Sequence, residues 1–187
     1  MNRKLSVPSV ISLCLAAVIL IGSIYLPWWG MTFTAPQYPE GLTVEVYPNK
    51  MEGPIEIING LNHYIGMMVI SEENFPELQY LPYVVGGMAA LTLLVALARR
   101  KGLLYGLIGI FAVGGVLGLY DIKRWLTKLG TNLDPKAPID IDPFVPPLLG
   151  SNKIANFVTD SYFSYGSMLI GIAFLLMLLP LWRDRKR

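Results

Sequence analysis

An all-α membrane protein, with four transmembrane helices and a small β-hairpin in the first outer loop, is predicted by three observations. The chain of 187 residues is 53% hydrophobic and only 15% charged, a balance unlike that of a water-soluble domain of this length. Its apolar residues gather in four runs: Leu5 to Trp29, Pro82 to Ala98, Gly102 to Tyr120 and Tyr165 to Trp182. None of these holds an Asp, Glu, Lys, Arg or His, and each approaches or passes the ~18 apolar residues that read as a spanning helix.

The spans are expected at about 5–29, 82–99, 102–121 and 164–182, within a single membrane domain covering 1–187. Asn2-Arg3-Lys4 before the first run resembles the basic start of a signal peptide. The apolar part is too long for one, however, and Leu26-Pro27-Trp28-Trp29 offers no small-residue cleavage site, so a retained signal anchor is expected. In the outer loop 30–81, Leu42-Thr-Val-Glu-Val-Tyr47 alternates apolar and polar residues, Pro48-Asn49-Lys50 supplies a turn, and Ile55-Glu-Ile-Ile58 resumes in β-favouring residues. This predicts the hairpin. Asn59 to Met68 has helical character, and Pro76 to Pro82 returns the chain to the membrane. Trp28, Trp29, Tyr38, Tyr47, Tyr64, Tyr80 and Tyr83 suit the headgroup level.

Only Arg99 to Lys101 separates the second and third spans, which must form an antiparallel hairpin. The third carries Gly102 and Gly106, then Gly114 and Gly118, a small-xxx-small pattern that lets helix backbones approach closely in lipid. It is therefore expected at the bundle centre, against Gly86, Gly87 and the Ser167/Gly171 pair. In the second outer loop, 121–163, Asp121 to Leu129 extends the third helix past the bilayer, and the prolines between Asp134 and Pro147 exclude regular helix. Ile139, Ile141, Phe144, Val145, Leu148 and Leu149 predict that this stretch is ordered against the first loop or a partner. Ile154-Ala-Asn-Phe157 reads as a short interfacial helix leading into the last span.

Charge sets the expected sidedness. Arg3, Lys4, Arg99, Arg100, Lys101, Arg183, Arg185, Lys186 and Arg187 share one side with a single acid, Asp184, and the other side holds twelve acids and six bases. Basic residues stay inside, so a multi-pass protein of the cell's inner (plasma) membrane is expected, with both termini cytoplasmic. The basic clusters are short and flank helix ends, where they anchor to anionic lipid, and nucleic-acid binding has no support.

Catalytic patterns do not appear: there is no nucleophile motif, phosphate loop or HExxH, and no acidic pair within a span that would suggest ion translocation. A non-catalytic protein is expected. The single cysteine, Cys14, excludes an intramolecular disulfide and a cysteine-rich metal site. The one histidine, His63, lies in Asn59-Gly-Leu-Asn-His-Tyr-Ile-Gly-Met67-Met68, and if that segment is helical His63 and Met67 share a face. Imidazole and thioether form a copper-type ligand pair, with Met68 as a third candidate and Met31 and Met51 on the same side. Against this stands a lone surface histidine, bonded through Asn62 or a backbone carbonyl and flanked by Tyr64.

The run from Tyr38-Pro-Glu-Gly-Leu42 through Leu61-Asn-His-Tyr-Ile-Gly-Met67 resembles small bacterial four-helix membrane proteins encoded near nitrous oxide and nitric oxide reductases and copper-delivery proteins. The resemblance covers the first outer loop. It implies an accessory or copper-handling protein for a respiratory complex, with copper as the cofactor, His63 and Met67 as ligands, and other membrane or periplasmic subunits as partners. The alternative is a purely structural subunit, or a scaffold of claudin-like shape. Trp28-Trp29-Gly30 at the loop entrance is similar to the claudin pattern, but the paired outer cysteines of claudins are missing.

Overall fold

Pro8 sits in the first turn of the first helix, α1 (Val7–Ser23), where its missing N–H is not needed. The computed structural model describes residues 4–139, 141–154 and 157–185, so Arg3, Lys186 and Arg187 of the charge argument and Ala155 and Asn156 lie outside the described residues. After α1 come β1 (Trp29–Ala35), β2 (Tyr38–Val46), β3 (Met51–Glu52), α2 (Ile55–Tyr64), α3 (Glu77–Ala98), α4 (Lys101–Thr131), β4 (Gly150–Ile154), β5 (Phe157–Phe163) and α5 (Tyr165–Arg183).

The all-α expectation is overturned. The strands form one antiparallel sheet in the order β3-β2-β1-β5-β4, so the chain is a mixed α/β protein. Both connecting segments build this sheet. β1 is paired on one side with β2, Trp29 opposite Val46 and Phe33 opposite Leu42, and on the other with β5, Trp29 opposite Phe163 and Phe33 opposite Thr159. The first span had absorbed Trp29, but α1 ends at Ser23, whose hydroxyl bonds back to the Leu20 carbonyl at 2.7 Å. Phe157 opens a strand rather than closing a short helix, as the β-branched and aromatic residues of Phe157-Val-Thr-Asp-Ser-Tyr-Phe163 favour.

The predicted hairpin is half right. Leu42 to Val46 lies in β2, and residues 47–50 make the turn, but the returning strand stops after Glu52 and Ile55 to Ile58 is helical. Gly53, at φ +135, packs on the Thr43 backbone, and Pro54, which has no N–H for the ladder, caps α2 instead.

Among the described residues three helices, α3, α4 and α5, are long and apolar enough to cross a membrane, and α1 is apolar but shorter at 17 residues. This is a membrane protein. α1, not α4, is the central helix: its Leu13, Ala16, Ala17 and Leu20 are buried with Val85 and Ala89 of α3 and Ala173 and Met177 of α5. α4 is peripheral, touching α5 through the stacked rings of Phe111 and Phe174, 5.2 Å apart. Gly114 and Gly118 have open space where a side chain would go, as do Gly102, Gly106, Gly86, Gly87 and Gly171. Close packing at the glycine pattern is therefore absent from the fold. Small residues of α1, Ala16 and Ala17, let α3 and α5 approach instead.

At one end of the bundle, Leu5 bonds Arg99, Lys4 pairs with Arg100, and the Ser6 N–H donates to the buried Asp184 carboxylate at 3.1 Å. Arg99 adopts the left-handed conformation, φ 54, in the tight turn between α3 and α4, and its guanidinium donates to the Leu5 carbonyl at 3.0 and 3.2 Å. The sheet sits at the opposite end. There α4 keeps going: at ~1.5 Å per residue its 31 residues span about 46 Å against a hydrocarbon core of ~30 Å. Its final turns stand under the sheet, where Leu126 packs against Trp29 and Met31, and Leu129 joins the cluster around Leu42 and Val44.

A cavity beneath the sheet as candidate functional site

The sheet has two unlike faces because its side chains alternate. On one, Thr32 and Thr43 share a hydroxyl hydrogen bond of 2.9 Å, and the Tyr162 ring covers Gly30. On the other, Trp29, Met31 and Phe33 of β1 stand beside Val44 and Val46 of β2. That apolar face roofs a cavity of about 180 Å³, with α2, the start of α3 and the end of α4 as its walls. The walls are almost wholly apolar.

α2 presents Ile58, Leu61 and Asn62 to this space. Its end explains the most distinctive run in the sequence. Gly66 takes φ +74, the Met67 N–H bonds the Asn62 carbonyl at 2.9 Å, and the Gly66 N–H bonds the His63 carbonyl at 3.3 Å. This is a Schellman cap, in which the residue after the left-handed glycine packs back on the helix. Accordingly Met67 turns into the apolar cluster with Leu61. Tyr64 and Gly66 carbonyls accept the Ile139 and Asp134 N–H groups at 2.9 and 2.8 Å, which docks the proline-rich segment on the end of α2. Of the two surfaces expected for that segment, the first loop or a partner, these bonds are to the first loop.

The proposed copper ligands are placed differently from the helical arrangement expected. The helix ends at Tyr64, so His63 and Met67 do not share a helical face. His63 is exposed, with its ring 6.4 Å from that of exposed Tyr64, while Met67 and Met68 are half-buried in the apolar cluster. Among the described residues no three His, Cys, Asp or Glu side chains group as a metal site. Trp28 and Trp29, expected at the headgroup level, are tied inward: their indole N–H groups donate to the Ser23 carbonyl at 2.8 Å and the Leu148 carbonyl at 2.9 Å. Tyr25, Tyr64, Tyr80, Tyr83, Tyr120 and Tyr165 are exposed at that end.

Polar groups in the cavity wall are few, and three of them lack partners. Asn62 is 3% exposed and its Nδ2 bonds nothing; Glu77 Oε2 and Trp125 Nε1 are likewise buried without a hydrogen bond. Buried donors and acceptors are normally satisfied, so such a concentration at one site calls for an explanation. The other Glu77 oxygen is held by Arg124, which also pairs with Asp121 at 2.7 Å. Trp125 lies against Phe75, ring centres 4.6 Å apart, with Lys128 and Arg124 beside its ring. The Tyr47 phenol, also in the wall, is pushed up by loss of water contact and then by the Glu52 and Glu45 carboxylates.

Neither Glu77 nor Trp125 stood out in the sequence. Glu77 reads as a helix start beside Pro76, and Trp125 sits among Lys123, Arg124 and Lys128, which mask its inward ring. In comparisons with known proteins, no family model matches the sequence and no curated protein is similar to it.

Proposed function

We propose that this protein is a non-catalytic membrane protein that binds an apolar molecule at the outer surface of the bilayer, crossing the membrane four times with both termini cytoplasmic. The cavity beneath the sheet carries the reading. Ligand sites are typically concave and apolar with a few placed polar groups, and an engineered apolar cavity of ~150 Å³ suffices to take up benzene. With about 180 Å³ here, there is room for a ring or a stretch of chain. Supporting four crossings, the chain through α1 runs from the Leu5–Arg99 contact at one end of the bundle to Trp28 beside the sheet. The basic residues of the Lys4, Arg99–Lys101 and Arg183–Arg185 groups gather at the end away from the sheet, which favours that end as cytoplasmic.

A cavity-filling variant tests the binding. Val46→Phe should lose the apolar molecule that co-purifies with the wild-type chain, detected by native mass spectrometry, and should lose ligand-induced thermal stabilisation. Equal ligand occupancy in both proteins would count against the cavity.

One observation favours a second reading. Met31, Met51 and Met67 all line this cavity, and thioethers select Cu(I). In this form the copper-handling role implied by the resemblance would run through sulfur alone, without His63. Cu(I) titration of the wild type and of a Met31→Leu/Met67→Leu variant separates the readings, since only copper binding needs the sulfurs. An accessory role beside a respiratory complex rests on the same resemblance, and mild-detergent purification from native membranes tests it through co-purifying subunits.

A further inference from the structure

The wall of the cavity restricts what can occupy it. Its unpartnered atoms are two N–H donors, Asn62 Nδ2 and Trp125 Nε1, and one acceptor, Glu77 Oε2. The donors need an oxygen lone pair and the carboxylate oxygen needs a hydroxyl hydrogen. A plain hydrocarbon would leave all three unmet, at a cost in affinity. Glu77 and Asp121 are the only charged side chains in the wall among the described residues. An anionic head would meet the net negative charge that Glu77 and Asp121 retain after pairing with Arg124. An ammonium head could approach Glu77, but Arg124 already pairs with both acids, and an ammonium offers no acceptor to Asn62 or Trp125.

We propose that the occupant is a neutral amphiphile, with an apolar chain or ring in the cavity and a head that carries both an acceptor oxygen and a hydroxyl. This rests on the apolar-ligand reading above and narrows it to a chemical class. Two sources share the chemistry, a monoacylglycerol and an alkyl hydroquinone, since each combines a hydroxyl with an accepting oxygen. The position of the site suits a molecule entering from lipid. Glu77 and Leu81 lie in the first turns of α3, and Asp121 and Ile122 lie where α4 leaves its apolar run.

The test is native mass spectrometry of the full chain in detergent, titrated separately with monooleoylglycerol, an alkyl hydroquinone, oleate and oleylamine. The neutral probes should bind about tenfold tighter than either charged one, and Asn62→Leu and Trp125→Phe should each weaken the preferred neutral probe about five- to tenfold, the loss expected for one hydrogen bond. Whichever neutral probe binds tighter names the source. Because Asn62 Nδ2 has no partner in the protein, Asn62→Leu should retain its thermal transition, so lost binding will not reflect lost folding. Equal or tighter binding of oleate or oleylamine would overturn the neutral-head proposal while leaving an apolar site in place, as would unchanged affinity in both variants. Failure of all four probes to bind would instead remove the apolar-ligand reading itself.

Discussion

Gly66 joins two tasks that no other residue type can combine. Its φ of +74 ends α2, and a Cβ there would meet the Asp134 backbone oxygen at 2.8 Å and the Ala137 side chain at 2.9 Å. A strained conformation and a displaced segment add together, so Gly66→Ala should destabilise the protein by about 1–3 kcal/mol, read from thermal unfolding in detergent. His63→Ala, on an exposed side chain three residues away, should stay within ~0.5 kcal/mol. Equal effects would mean that the imidazole carries more than the structure gives it. The prominence of this run in the sequence was legible, but its reason was not. Imidazole-to-thioether spacing suggests a metal until the glycine between them is seen to break the helix, and a cap of this type depends on a segment about 70 residues further on.

At the scale of elements, α1 is held in the bundle by what meets it at its start. Asp184, 1% exposed, accepts from the Ser6 N–H, and Lys101 donates to its backbone carbonyl. Burial alone would raise the Asp184 carboxyl. Hydrogen bonds from Ser9 and Ser6, with the nearby Lys101 charge, outweigh it and hold the group below its usual 3.8. A folded pKa below the unfolded value means that the stabilisation is complete above about pH 4 and is lost as pH falls through the folded value. Asp184→Asn should therefore lower stability by roughly 1–3 kcal/mol at neutral pH, and the gap between variant and wild type should narrow as pH falls below about 4. A gap that is constant down to pH 3 would show that the charge is not what matters. Helices were the readable part of this chain, because apolar runs are long and uninterrupted. The strands were hidden for opposite reasons at the two ends: β1 follows α1 without a change in hydropathy, and β5 pairs with a strand more than a hundred positions away.

For the whole molecule, sidedness is the property to establish first, because it decides from which leaflet the proposed ligand would enter. In a Cys14→Ser background, Lys50→Cys in the turn before β3 should react with an impermeant thiol reagent added to spheroplasts, whereas Arg185→Cys should react only after permeabilisation. The reverse pattern would invert the orientation. Charge asymmetry was visible from sequence because it is a sum over many residues; the cavity was not, because its walls come from seven separate elements, each of which reads as ordinary core. The central position of β1 has a consequence for how the chain is made. Phe163, which pairs with Trp29, is synthesised about 130 residues later, and at ~5–20 residues per second that is a wait on the order of ten seconds. During that interval one edge of β1 is an open template beside the membrane. Nascent chains halted before β5 should consequently be the ones that aggregate or recruit a holding chaperone, even though α1, α3 and α4 have already been made.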